Sequence, residues 1–137
     1  MSKLRVGIAG YGIVGKRRRH FIDVHPAFVT VAVCDRAFES EGVMYDGVRH
    51  YRDDARLLET ESLDVLFVCL TNDVAAQVTS DGLNKGLHVF CEKPPGRDVD
   101  DIRAVIAVER RHPGLRLKYG FNHRYHDSVR MALEKIK

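Results

Sequence analysis

Apolar positions in this chain fall into short, nearly unbroken runs, separated by stretches in which apolar residues recur every three or four positions. The runs at 4–9, 29–34, 63–70, 88–91 and 115–119 have the length and β-branched content of strands buried on both faces. The clearest is 63–70, where Val65, Leu66, Phe67, Val68 and Cys69 follow one another. A further short strand is expected at 48–51, and 37–47 reads as irregular. Helices are expected from just after Gly12 to about 24, over 53–58, from 72 to about 85, and over 99–111. Ile13, Val14, Phe21 and Val24 are the expected core contacts of the first, and Ile102, Val105, Ile106 and Val108 those of the fourth. Pro26, Gly86 and the His112-Pro113-Gly114 stretch supply the stops, and Asn72 or Asp73 a cap. Strands alternating with helices in this way predict an α/β fold, a doubly wound parallel sheet with ligand at the carboxyl edge of its strands.

Where the first strand meets the first helix stands Gly10-Tyr11-Gly12-Ile13-Val14-Gly15, spaced G-x-G-x-x-G. Gly10 permits a tight exit from the strand, Gly12 leaves room for a pyrophosphate against the backbone, and Gly15 lets the helix approach the sheet. Phosphates then meet the free N–H groups of the helix start. This is the layout of a dinucleotide-binding turn in a Rossmann fold, and it makes the whole Gly10 to Gly15 loop, with Tyr11, Ile13 and Val14, a cofactor-binding candidate. Asp35, twenty residues past Gly15 at the end of the second strand, can accept hydrogen bonds from the adenosine ribose. Its charge repels a 2′-phosphate and favours NAD, whereas neighbouring Arg36 can pair with that phosphate in NADP. Thr71 and Asn72, after the central strand, are either cofactor contacts or helix caps.

With 137 residues the chain has room for one domain with a proper core. Its 45% hydrophobic and 30% charged residues describe an ordinary globular protein. No apolar run approaches the roughly 20 residues of a membrane span, and no secretory leader is visible, so the expectation is a cytoplasmic protein with no membrane partner. Cys34, Cys69 and Cys91 each end an apolar run and are expected as buried thiols, spaced for neither a zinc site nor a disulfide scaffold. No metal site is expected. The net charge of +3 owes much to Lys16-Arg17-Arg18-Arg19. That cluster lacks the aromatic interleaving of a nucleic-acid surface, which leaves a solvated helix face or an attraction for an anionic cofactor.

Together the Gly10 to Gly15 turn, Asp35, Glu92-Lys93-Pro94, and Gly120-Phe121-Asn122 with Arg124 resemble the Gfo/Idh/MocA family of NAD(P)-dependent oxidoreductases. The resemblance spans essentially the whole chain and is most specific at Glu92-Lys93-Pro94. It implies that Lys93 reaches the nicotinamide and the substrate hydroxyl, with Glu92 beside it, and that the Lys93–Pro94 peptide can be cis. An ammonium suits that place because it polarises an oxygen whose charge changes during hydride transfer. Where the family has Thr-Pro-Asn-x-x-His after the central strand, this chain has Leu70-Thr71-Asn72-Asp73-Val74-Ala75: Asn72 is retained, but Thr71 replaces the proline and Ala75 the histidine. The family pattern also divides the chain into a dinucleotide-binding domain over 1–119 and a connecting segment and helix over 120–137, with Val129, Ala132, Leu133 and Ile136 on one helix face. That helix leads towards a second domain, which in relatives carries the substrate contacts and the oligomer interface. His123, His126 and Asp127 fall in the joining segment and read as structural. The implied activity is hydride transfer between the nicotinamide and a hydroxyl-bearing carbon of a small sugar-like or cyclitol substrate, in a possible homo-oligomer. A non-catalytic NAD(P)-sensing module is the alternative.

Overall fold

The structure, a computed structural model, describes residues 2–136. In chain order it comprises β1 (Leu4–Ala9), α1 (Ile13–Val24), β2 (Phe28–Cys34), β3 (Gly42–Val43), β4 (Arg49–Tyr51), α2 (Asp54–Thr60), β5 (Val65–Val68), α3 (Asn72–Asn84), β6 (His88–Cys91), α4 (Val99–Arg111), β7 (Leu117–Tyr119), a 3₁₀ turn (Asn122–Tyr125) and α5 (Asp127–Lys135). The seven strands form one sheet in the order β3-β4-β2-β1-β5-β6-β7, parallel throughout except that β3 runs antiparallel to β4. From β1 the chain builds outward to β2 on one side and then crosses to β5 on the other, which opens a switch point at the carboxyl end of β1.

Alternation along the strands feeds two cores. Val6, Ile8, Val33 and Val65 gather under α1 with Ile22, while Ala9, Ala32, Leu66, Val68 and Val89 face α2, α3 and α4. Ile8, Leu57, Leu66 and Leu83 are fully enclosed, each contributing about 1.5–3 kcal/mol of burial. Asp98 caps α4 by accepting from the amides of Asp100 and Asp101, and Asp53 caps α2 through the amide of Arg56.

Element boundaries shift where side-chain pattern and backbone pairing diverge. The 63–70 run forms a strand only over Val65–Val68, although Asp64 N still donates to Arg5 O at 2.9 Å and Cys69 N to Ala9 O at 2.7 Å on either side of it. The last strand starts at Leu117 rather than 115, and a two-residue edge strand lies inside the stretch read as irregular. Thr71, one residue before the two expected caps, takes the N-cap position of α3 through its backbone.

The larger correction concerns α1. Ile13, Val14, Phe21 and Val24 are 80, 42, 58 and 67% exposed, and the residues α1 buries are Gly15 and Ile22. A Cβ on Gly15 would stand 2.0 Å from the Gly10 carbonyl oxygen, so this glycine is pressed against the turn and sets the helix phase. The inner face then runs through Gly15 and Ile22, seven residues apart, and leaves the expected apolar positions outside. On α4, Val105 and Val108 are buried while Ile106 is 38% exposed. Leu133 on α5 and Ile136 just past its end are 50% and 79% exposed, so that apolar face is not packed on the sheet. Lys137 lies outside the described residues.

Candidate functional site

The turn after β1 is built by backbone contact. Gly10 has φ +92°, a left-handed conformation, and a Cβ there would meet the Cys69 carbonyl oxygen at 2.4 Å. Its N–H donates to Cys34 O at 2.9 Å, tying the turn to the end of β2. Gly12, the N-cap of α1, has nothing within 4 Å of where a Cβ would stand. No side chain caps α1 and no acidic residue occupies its first turn, so its first amides remain available to an anion.

Asp35 completes the turn. One carboxylate oxygen accepts from the Tyr11 N–H at 2.8 Å and the other from the Ala37 N–H at 2.9 Å. A carboxylate offers about four acceptor positions, so two remain for hydroxyl donors. Asp35 is therefore a clasp that holds the glycine turn against β2 as well as a free acceptor.

From this point a crevice runs along the carboxyl edge of the sheet in three adjoining hollows. The first, about 410 Å³, is lined by Gly10, Gly12, Asp35, Arg36 and Thr71, together with Arg52 and Asp73. The second, about 390 Å³, shares Cys69 and Leu70 with the first and adds Val14, Arg18, Glu92 and Lys93. Lys93 and Asn122 continue into the third, about 580 Å³, with Phe121, Arg124 and Val129. The Lys93–Pro94 peptide is cis. Burial, then the Glu92 charge, pushes the Cys69 thiol up to about 12, which lowers its thiolate fraction at neutral pH.

Most of the expected site residues converge here, but not all. Gly10, Gly12, Asp35, Arg36 and Thr71 share the first hollow, and Val14, Glu92 and Lys93 the second. Gly15 lies beneath the turn as its packing contact. The Tyr11 side chain stacks on Phe38 at 6.2 Å and its hydroxyl accepts from Arg19 at 2.9 Å, so only its backbone serves the turn. Ile13 and Asn72, both exposed, are not among the described residues lining the crevice. Cys34 and Cys91 are buried as expected, whereas Cys69 is only half-buried.

The basic cluster resolves residue by residue. Arg19 turns inward to Tyr11, Asp23 and Asp46, Lys16 lies 5.8 Å over the Tyr11 ring, and Arg18 pairs with Glu92. Leu70 and Arg52 are crevice residues that the sequence pattern did not single out, and it marks Arg18 and Asp73 only as part of the basic cluster and as a helix cap. For Arg18 a signal exists: it stands three residues past Gly15 and four past Val14, on the helix side those residues define. His123 and His126 stack on each other at 4.8 Å, and Asp127 sits 3.9 Å from Arg130, while His123 also lines the third hollow. Among the described residues no cluster of three or more His, Cys, Asp or Glu side chains is placed to hold a metal, and no helix is long and apolar enough to cross a membrane.

A parallel sheet whose switch point carries a glycine turn, an uncapped helix and a strand-end carboxylate defines a dinucleotide-binding α/β domain of the Rossmann class. The chain belongs to the Gfo/Idh/MocA oxidoreductase family, with its NAD-binding Rossmann fold, whose pattern matches residues 4–121. It is 29% identical over 127 residues to inositol 2-dehydrogenase of Salmonella typhimurium, covering 89% of this chain and 38% of that one. It is likewise 29% identical over 139 residues to D-glucoside 3-dehydrogenase of Escherichia coli, covering 98% and 39%. Among solved structures, scyllo-inositol dehydrogenase from Lactobacillus casei, with bound NAD(H) and scyllo-inositol, superposes with a TM-score of 0.84 at 25% identity over 98% of this chain and 41% of that one. The chain thus spans about two fifths of the length of the relatives it matches.

Proposed function

We propose that this chain is the cofactor-binding part of a dehydrogenase that moves hydride between a nicotinamide and a hydroxyl-bearing carbon of a sugar or cyclitol. The observation that carries this reading is the continuity of the crevice, from the glycine turn and Asp35 at one end to Lys93 at the other. The first-turn amides of α1, reached past the bare Gly12 position, hold the pyrophosphate. The free acceptor positions of Asp35 take the adenosine ribose hydroxyls, which favours NAD over NADP, with Arg36 and Thr71 alongside. Bound there, the nicotinamide accepts or supplies the hydride. Lys93 then stands at the substrate end, where its ammonium would orient the hydroxyl and stabilise the oxygen while a base from the part of the protein that completes the pocket takes the hydroxyl proton.

In this reading residues 1–119 form the binding domain, and 120–137 lead towards the part of the protein that completes the substrate pocket. The Lys93, Phe121, Asn122 and Arg124 hollow is one wall of that pocket. The named relatives are dehydrogenases of inositols and a glucoside, which supports a polyhydroxylated substrate and gives no support to a sensing role.

The test is NAD reduction by the protein carried past residue 137 in its reading frame, assayed with inositols and aldoses. Lys93→Met is expected to lower kcat by about 10²–10³-fold while NADH binding persists. Full activity in that variant would refute the role given to Lys93.

A further inference from the structure

Arg18 reaches from α1 across the sheet edge to the end of β6, where its Nε and one terminal nitrogen both meet the same oxygen of Glu92. Its guanidinium lies 4.9 Å over the Phe90 ring, which in turn stacks on Phe67 at 4.9 Å. Stacked and forked in this way, the guanidinium is held on two sides. The Glu92 side chain is only 11% exposed, and its other oxygen packs so close to Gly120 that a Cβ there would stand 2.8 Å away. The next residue is Lys93, and no described carboxylate lies within ion-pairing distance of it.

A carboxylate enclosed to that degree requires a cationic partner. Without Arg18, two cations still share the hollow with Glu92, Arg17 and Lys93, and of these Lys93 is its neighbour in sequence. We propose that Arg18 is a positioning residue: by occupying Glu92 it keeps Lys93 out of an ion pair and free to face the nicotinamide and substrate. This rests on the cofactor reading above and adds to it a dependence on α1, seventy-four residues away in sequence from its target.

The 137-residue chain can test it without turnover. ADP-ribose reports the glycine turn and Asp35 alone, whereas the fluorescence of bound NADH reports how the nicotinamide is held. In Arg18→Met, ADP-ribose is expected to bind as in the wild type, while NADH binds about tenfold more weakly and loses its fluorescence enhancement. Arg18→Lys, which keeps the charge, is expected to recover most of the signal. In a Glu92→Gln background, removing Arg18 is expected to cost nothing further, because there is no charge left to occupy. NADH binding and fluorescence unchanged in Arg18→Met, with ADP-ribose still bound, would overturn the positioning role alone. An equal loss on removing Arg18 with or without the Glu92 charge would overturn it too. Failure of ADP-ribose to bind the wild type would overturn the cofactor reading and this role with it.

Discussion

Replacing Gly15 with alanine separates the structural duty of the glycine turn from its duty to a ligand. The added Cβ would stand 2.0 Å from the Gly10 oxygen and 3.0 Å from its carbonyl carbon, both backbone atoms. Since such contacts close to no less than about 3 Å, the start of α1 or the turn must move by about 1 Å. Forced overpacking of this kind costs about 1–3 kcal/mol, and the helix propensity gained on replacing glycine offsets at most about 1 kcal/mol. The expected outcome in urea unfolding is a net loss of about 1–2 kcal/mol, with ADP-ribose affinity falling in parallel as the turn leaves Asp35. Gly12→Ala is the control, because nothing lies within 4 Å of its Cβ and its φ of −77° suits any residue. That variant should keep its stability within about 0.5 kcal/mol and still lose ADP-ribose binding. A Gly15→Ala protein that is more stable than wild type and binds normally would refute the account of how α1 is seated.

Other regions give independent checks. Glu61, its side chain fully enclosed, accepts from Arg49 at 2.7 Å and from the Tyr51 hydroxyl at 2.6 Å; burial pushes its carboxyl up, but the Arg49 and Tyr51 bonds outweigh this and hold it below the ordinary carboxylate range. A depressed carboxyl adds stability above its unfolded pKa and loses it as pH falls through the folded one, so Glu61→Gln should cost about 1–2 kcal/mol at pH 7, trimmed by the half-exposed Arg49, and should flatten the acid side of the stability curve. An unchanged acid profile would contradict that. Asp98→Ala removes the acceptor for two α4 amides at 3.0 Å and should lower stability by about 1 kcal/mol in thermal or urea unfolding. Because burial holds Cys69 at about 12 rather than 9.0, it carries about a thousandfold less thiolate at pH 8. Greater intrinsic nucleophilicity returns part of this, so labelling by an aromatic disulfide should run about fiftyfold slower than for free cysteine, and a fast phase from Cys69 in the native protein would contradict the assignment.

How far the chain could be read in advance depended on the range of the forces involved. The strand runs, the glycine spacing and the Asp35 strand end are local patterns with local causes; the structure puts a strand in each run, shortened at 63–70 and 115–119, and brings the glycine turn and Asp35 to one hollow. The buried face of α1 was not legible, because Ile13, Val14, Phe21 and Val24 compete for it by hydrophobicity while a backbone contact at Gly15 decides it. The arginine cluster misleads for the same reason. Arg18 and Arg19 look like surface charge until the fold brings up Glu92 from 74 positions away and Asp46 from 27. Asp35 was legible as an acceptor but not as a clasp, since the Tyr11 amide reaches it only once the turn has closed.

The central claim, that the crevice seats NAD through the glycine turn and Asp35, is tested most directly by calorimetric titration of the chain with NADH and NADPH, in wild type and in Asp35→Ala. Saturable NADH binding tighter than NADPH binding is expected in the wild type. Asp35→Ala is expected to weaken NADH at least about tenfold, through loss of charge-assisted hydrogen bonds to the ribose, and to narrow the gap to NADPH. No saturable NADH binding in the wild type, or an Asp35→Ala protein that binds NADH unchanged, would contradict it.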